Sequence, residues 1–206
     1  MMHISMKFIG ITGGVGAGKS AILSYLAKKP NTRVMLADEI AHKLMEPGTD
    51  CYREIVERFA GEDILQENGS FDRGKLAQII FGNPKKREVM NAIVHPAVKE
   101  YVREQYKKEK EAGELSLLVL EAALLIEEEY DEICDELWYI YTNEENRRKR
   151  LKESRGYSDE KIDNIFKSQL GEQEFRESTQ VTIDNNGNLE ETILQIERAL
   201  RRKADE

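Results

Sequence analysis

Short apolar, β-branched runs alternate with longer stretches of helical periodicity along most of the chain. Residues Lys7–Thr12 read as a buried strand that runs through a loop into a helix over 21–27. Further strands are expected at 32–37, 115–120, 136–141 and 179–183, each apolar enough to be covered on both faces. Strands and helices repeated in that order build a parallel sheet. The pattern therefore predicts an α/β, three-layer core around a five-stranded parallel sheet.

Between about 43 and 110 the strand signal stops, and Ile55, Leu76, Ile79, Ile80, Val89, Ile93, Val98, Val102 and Tyr106 recur at helical spacing. This stretch reads as a helical insertion. Asn83 can cap a helix that starts at Pro84, and Pro96 is expected to open another that carries Val98, Tyr101, Val102 and Tyr106. Two helices follow over 142–170. A capping box of Thr142 and Glu145 begins the first, and Ser158 begins the second with Asp159 and Glu160 at its positive end. Gly156 between them is a candidate hinge. After a turn at Asn185-Asn186-Gly187, a last helix carries Leu189, Ile193, Ile196 and Leu200 on one stripe that packs back onto the core.

At 206 residues the chain suits one module with an insertion rather than two independent domains. Its 40% hydrophobic and 34% charged residues are interspersed, which describes a soluble globular protein. No apolar run reaches the roughly 18 residues a spanning helix needs, and residues 1–5 lack the features of a leader. A cytoplasmic location with no membrane partner is the expectation. A net charge of −8 argues against a protein that coats nucleic acid. Cys51 and Cys134 are too few for a disulfide framework and lack zinc spacing, so both are read as buried or incidental thiols.

Gly13-Gly14-Val15-Gly16-Ala17-Gly18-Lys19-Ser20 matches G-x-x-x-x-G-K-S, between an apolar strand and a helical segment. The glycines let several N–H groups point into one hollow, and the following helix adds its positive end. Such a loop holds a polyphosphate, expected to be ATP, with Lys19 reaching the β- and γ-phosphates and the Ser20 hydroxyl on Mg²⁺. A glycine-rich turn without a ligand is the competing reading, and the order strand, loop, helix disfavours it. There is no Asn-Lys-x-Asp element of the kind that guanine-specific P-loop proteins carry.

Ile11-Thr12 and the P-loop are followed by Ala37-Asp38 with Ile40-Ala41, Glu46-Pro47-Gly48, Phe71-Asp72-Arg73, Leu76 and Ile80-Phe81. Then come His95-Pro96, Leu124-Leu125 with Glu127, Gln169, and Ile183-Asp184-Asn185 with Gly187. In this order, over nearly the whole chain, these residues resemble the dephospho-coenzyme A kinase family. The resemblance implies phosphorylation of the ribose 3′-hydroxyl of dephospho-coenzyme A by ATP with Mg²⁺. It also implies three regions: a nucleotide-binding core (6–42, 111–141 and 176–206), a helical acceptor-binding region (43–110) and a mobile lid (142–175).

Asp38 follows the second expected strand, at the edge of a parallel sheet where ligands collect, and matches the family's proposed base. By position alone it is equally a cap for a helix over 39–45. Glu121, closing the third expected strand, would meet the magnesium shell through water, or is an ordinary surface carboxylate. Arg147, Arg148, Lys149, Arg150, Lys152 and Arg155 make a dense basic run, most of it expected to face solvent. Arg150 matches a family lid position and is the expected catalytic arginine. Arg73 matches a position suited to the acceptor's phosphates, with a surface salt bridge as the other reading. His95 marks the acceptor side or fixes a helix entrance, and His42 stands where the family often has arginine.

The chain departs from the family pattern at the lid. Ser154-Arg155 precedes Gly156 where the family commonly reads Arg-Asp or Arg-Asn, and Ile165 stands where it usually has arginine four residues before Gln169. Ala123 replaces a common proline, and Ser178-Thr179-Gln180 the usual Ala-Asp. Two missing cations imply an activity that is low or depends on another arginine. Kinase action on another small acceptor and a nucleotide-binding regulator are the competing readings. The oligomeric state is left open.

Overall fold

The computed structural model describes residues 6–202; the leader reading of residues 1–5 and the end of the core region, 203–206, lie outside them. Strand β1 (Lys7–Thr12) buries Phe8, Ile9 and Ile11 completely. Burying a side chain of that size contributes about 1.5–3 kcal/mol relative to leaving it exposed. With β2 (Thr32–Leu36), β3 (Leu117–Glu121), β4 (Glu136–Tyr141) and β5 (Val181–Asp184), it forms one five-stranded sheet of order β2-β3-β1-β4-β5. Parallel pairing joins β1 to β3, β1 to β4 and β4 to β5. The sheet is the expected parallel α/β sheet, with the phosphate-loop strand between two neighbours. In this register Ile11 pairs with Glu121 and Thr12 with Tyr139, so the ends of β3 and β4 flank the start of the loop.

Three strands have bounds that differ from the sequence reading. Ser116 and Leu117 both donate their N–H to the Asn31 carbonyl, at 2.9 and 3.2 Å, so the chain turns before β3 instead of pairing from 115. Thr179 gives its hydroxyl to Phe175 O at 2.8 Å, which holds it to the preceding turn and delays β5 to Val181. β2 stops at Leu36 because Ala37 already starts helix.

Helix α1 (Lys19–Ala27) follows Gly18, whose φ of 85° is costly for any residue with a β-carbon. Helices α2 (Ala37–Leu44), α3 (Asp50–Arg58), α4 (Arg73–Gly82) and α5 (Pro84–Ala112) come next, then α6 (Glu144–Arg155), α7 (Asp159–Lys167), α8 (Glu172–Glu177) and α9 (Leu189–Arg201). Asn83 caps the start of α5, its Oδ1 accepting Lys86 N at 3.2 Å, and Ser158 caps α7. Pro96, however, lies inside α5 rather than opening a new helix. A proline removes one intrahelical bond, and α5 continues through it because Met90, Ile93 and Val94 before it and Val98 and Val102 after it share one buried stripe.

The expected capping box at α6 is also replaced. Asn143 is the cap, with Oδ1 accepting Asn146 N at 2.8 Å, while Thr142 is buried and bonded elsewhere. Gly156 ends α6 in the left-handed conformation, φ 62°. Of the α9 stripe Ile196 is fully buried, but Leu189 is 47% exposed and Thr192 is buried in its place. Val89 is likewise exposed. Cys51 and Cys134 are both buried free thiols. Among the described residues no helix is long and apolar enough to cross a membrane.

The chain divides into two compact units. One comprises the described residues up to Val34 together with those from Lys110 to Arg202; the other is Met35–Glu109.

Candidate active site

In the first unit the loop from Gly13 to Ser20 leaves the end of β1 and enters α1. Lys19 turns back over it: its Nζ donates to Gly13 O at 2.7 Å and lies 3.4 Å from Glu121 Oε1 at the end of β3. Ser20, in the first turn of α1, is exposed. A hydroxyl and a carboxylate are hard oxygen donors of the kind Mg²⁺ takes while keeping water and phosphate oxygens in its remaining positions. Among the described residues no group of three or more His, Cys, Asp or Glu is placed to hold a metal ion.

The loop is anchored through one carbonyl. Ala17 O accepts Asn185 Nδ2 at 2.7 Å, Thr142 Oγ1 at 3.0 Å and Arg150 Nη1 at 3.2 Å. Asn185 is held in turn by the fully buried Thr192, whose hydroxyl donates to Asn185 Oδ1 at 2.9 Å. Arg150 also reaches Asn185 O at 2.7 Å. The expected catalytic arginine is thus engaged with carbonyls of the loop and of the segment after β5.

A different arginine lies on the outer part of the loop. Arg147 Nε donates to Val15 O at 2.9 Å, and a β-carbon at Gly14 would collide with its guanidinium. Gln169 accepts both Arg147 Nη2, at 2.6 Å, and Val15 N, at 3.2 Å. Arg148 by contrast is an outward cation, paired with Glu144, Asp159 and Asp163, and those hydrogen bonds push its pKa up. Sequence reasoning gave Arg147 no role of its own. The available signal was its spacing of three from Arg150, which puts both on one face of α6.

In the second unit Asp38 is an exposed first-turn residue of α2 and does not cap it; Leu36 holds the cap position without a side-chain bond. A cavity of about 750 Å³ opens in the same unit, lined on its apolar side by Phe71, Leu76, Ile80, Phe81, Met90 and Val94. Arg73, His42 and His95 stand among its polar lining, so two of the three expected acceptor residues share one pocket, from which Asp38 is absent. Phe81, 79% exposed, is a large apolar side chain at the surface of that cavity.

The profile of the dephospho-CoA kinase family matches residues 7–191. This chain belongs to the dephospho-CoA kinase family. Dephospho-CoA kinase from Carboxydothermus hydrogenoformans is 35% identical over 191 residues, 93% of this chain and 91% of that one. The enzyme of the same name from Listeria innocua is 38% identical, across 92% of this chain and 94% of its own. Among solved structures, a Thermus thermophilus protein superposes with a TM-score of 0.75 at 26% identity, covering 96% of this chain and 99% of that one. Dephospho-CoA kinase from Campylobacter jejuni (TM-score 0.70, 20% identity, 94% of this chain and 95% of that one) shares the fold. So does shikimate kinase from Acinetobacter baumannii (TM-score 0.53, 16% identity, 97% of each chain). The sheet and loop are those of a P-loop kinase.

Proposed function

We propose that this chain transfers the γ-phosphoryl group of ATP to the ribose 3′-hydroxyl of dephospho-coenzyme A, giving coenzyme A and ADP. The observation that carries the reading is a complete P-loop, with Lys19 beside Glu121, in a chain that matches the family over residues 7–191. ATP is the phosphoryl donor. The main chain from Gly13 to Ser20 cradles its phosphates, and Lys19 supplies a point charge to the β- and γ-phosphates. Ser20 and, through water, Glu121 would hold Mg²⁺, which would neutralise negative charge on the phosphates. Arg150 fixes the loop's Ala17 carbonyl, and a lid role over the phosphates remains part of this proposal.

On the acceptor side, Asp38 orients the 3′-hydroxyl and takes its proton as the hydroxyl oxygen bonds to the γ-phosphorus and the bond to ADP breaks. Arg73 faces the acceptor's phosphates, and His95 lines the same pocket. We place the reaction in the cytoplasm, with no nucleic acid or membrane as partner.

The test is product formation from dephospho-coenzyme A, ATP and Mg²⁺, resolved by mass, for the parent and for Asp38→Asn. A phosphorylated product from the parent, formed about 10²–10⁴-fold more slowly by the variant, is expected of a general base. Equal rates remove Asp38 from that role. ATP binding without product on any acceptor would point to a regulator instead.

A further inference from the structure

Gln169 Oε1 accepts the Val15 N–H at 3.2 Å and the Arg147 guanidinium at 2.6 Å. A backbone amide of the phosphate loop and a half-buried cation thus converge on one oxygen. Convergent donors of that kind bind a phosphate oxygen. The oxygen now between them belongs to a neutral amide, so it satisfies the hydrogen bonds of Arg147 without matching its charge.

Among the described residues no carboxylate is bonded to Arg147. Its acceptors are Val15 O and Gln169, its flat face lies 4.3 Å from the centre of the Phe166 ring, and Glu144 acts on it only from a distance. Burial pushes its pKa down from the usual guanidinium value, as expected of a desolvated cation short of a counter-charge. Its neighbours are differently placed: Arg148 and Lys152 are matched by Asp159, Lys19 by Glu121, and Arg150 by the carbonyls of Ala17 and Asn185. Gly14 is what lets the guanidinium approach, since a β-carbon there would collide with it.

We propose that Arg147 is a further cation, beside Lys19, that binds the moving phosphoryl group: when ATP enters, an oxygen of the terminal phosphoryl replaces Gln169 Oε1 between the Val15 N–H and Arg147. The inference rests on the P-loop kinase reading above. Gln169 is then a placeholder that keeps Arg147 aimed at the loop between turnovers. As the bond from the γ-phosphorus to the ADP oxygen breaks and the bond to the acceptor oxygen forms, charge spreads over the three equatorial oxygens, and Arg147 stabilises it. The bonding pair leaves with ADP and the acceptor's proton goes to the base.

Arg147→Ala tests this in two ways. Binding of ADP with aluminium fluoride and Mg²⁺, a mimic of the phosphoryl group in flight, needs no acceptor; turnover with dephospho-coenzyme A reads the reaction itself. Both are expected to fall by about 10²–10³-fold while affinity for ADP alone is unchanged. An analogue affinity equal to the parent's overturns the proposal. Parallel loss of ADP and analogue binding makes Arg147 a brace for the loop and also overturns it, as does a parent that does not bind the analogue more tightly than ADP. Should the alanine variant not fold, Arg147→Gln, which keeps an N–H donor for Val15 O and removes the charge, gives the same readings. Analogue binding that depends on Arg147 in a parent that makes no coenzyme A would uphold the role of Arg147 and overturn the acceptor.

Discussion

The two compact units are organised by different forces. In the first, the phosphate loop is fixed by directional polar bonds, with three donors on the Ala17 carbonyl between 2.7 and 3.2 Å. In the second, a cavity of about 750 Å³ is lined by Phe71, Leu76, Ile80 and Phe81, and Phe81 remains 79% exposed. A site for a highly charged group gains most when its dipoles are in place beforehand, because turning them during the reaction costs the energy they would supply. An apolar wall recognises shape and area and needs no such alignment.

That contrast breaks most visibly at Lys19. Replacing it with Met should lower turnover by about 10³-fold in steady-state assays, as loss of a transition-state charge contact does. Next is Asn185→Ala, which takes a donor from Ala17 O and an acceptor from the buried Thr192 hydroxyl. It is expected to cost about 1–3 kcal/mol in urea unfolding and to raise the KM for ATP. If stability and KM stay at parent values, the polar frame is not what shapes the loop.

Each unit has one buried thiol, which sharpens the comparison. Burial pushes the pKa of Cys134, in the first unit, up to about 12 from an ordinary value of 9.0, and raises that of Cys51, in the second. Above pH 9 the unfolded chain loses the Cys134 proton while the native chain keeps it. Stability fully present below pH 9 is therefore lost as pH rises toward 12, by about 1.4 kcal/mol per pH unit from this group. Urea unfolding of the parent and of Cys134→Ala across that range should show a shallower decline in the variant. The smallest stability effect is expected at the exposed wall of the cavity. Phe81→Ser should change unfolding free energy by less than about 0.5 kcal/mol, yet raise the KM for dephospho-coenzyme A and leave that for ATP alone. An unchanged acceptor KM would remove the cavity from acceptor binding.

The chain's periodicity and punctuation were enough to place the parallel sheet, the loop and the caps at Asn83 and Ser158. Those features arise from steric preferences of neighbouring residues and from a hydrophobic repeat, both of which are written locally. Asp38 was located but not its role in the helix, since a carboxylate near a helix start reads alike at the cap and in the first turn. Pro96 was misplaced because its cost is outweighed by a buried stripe on both sides of it, which sequence spacing alone does not weigh. Thr142 was misread because its hydroxyl has two uses, and proximity to Ala17, 125 residues away in the chain, decides between them. The same holds for the basic run on α6. Sequence established that it is cationic; only tertiary structure decided that Arg148 faces carboxylates, Arg150 the loop's carbonyls, and Arg147 a point shared with a loop N–H. Charge is a property of a residue, but its counterpart is chosen by which distant segments the sheet brings alongside it.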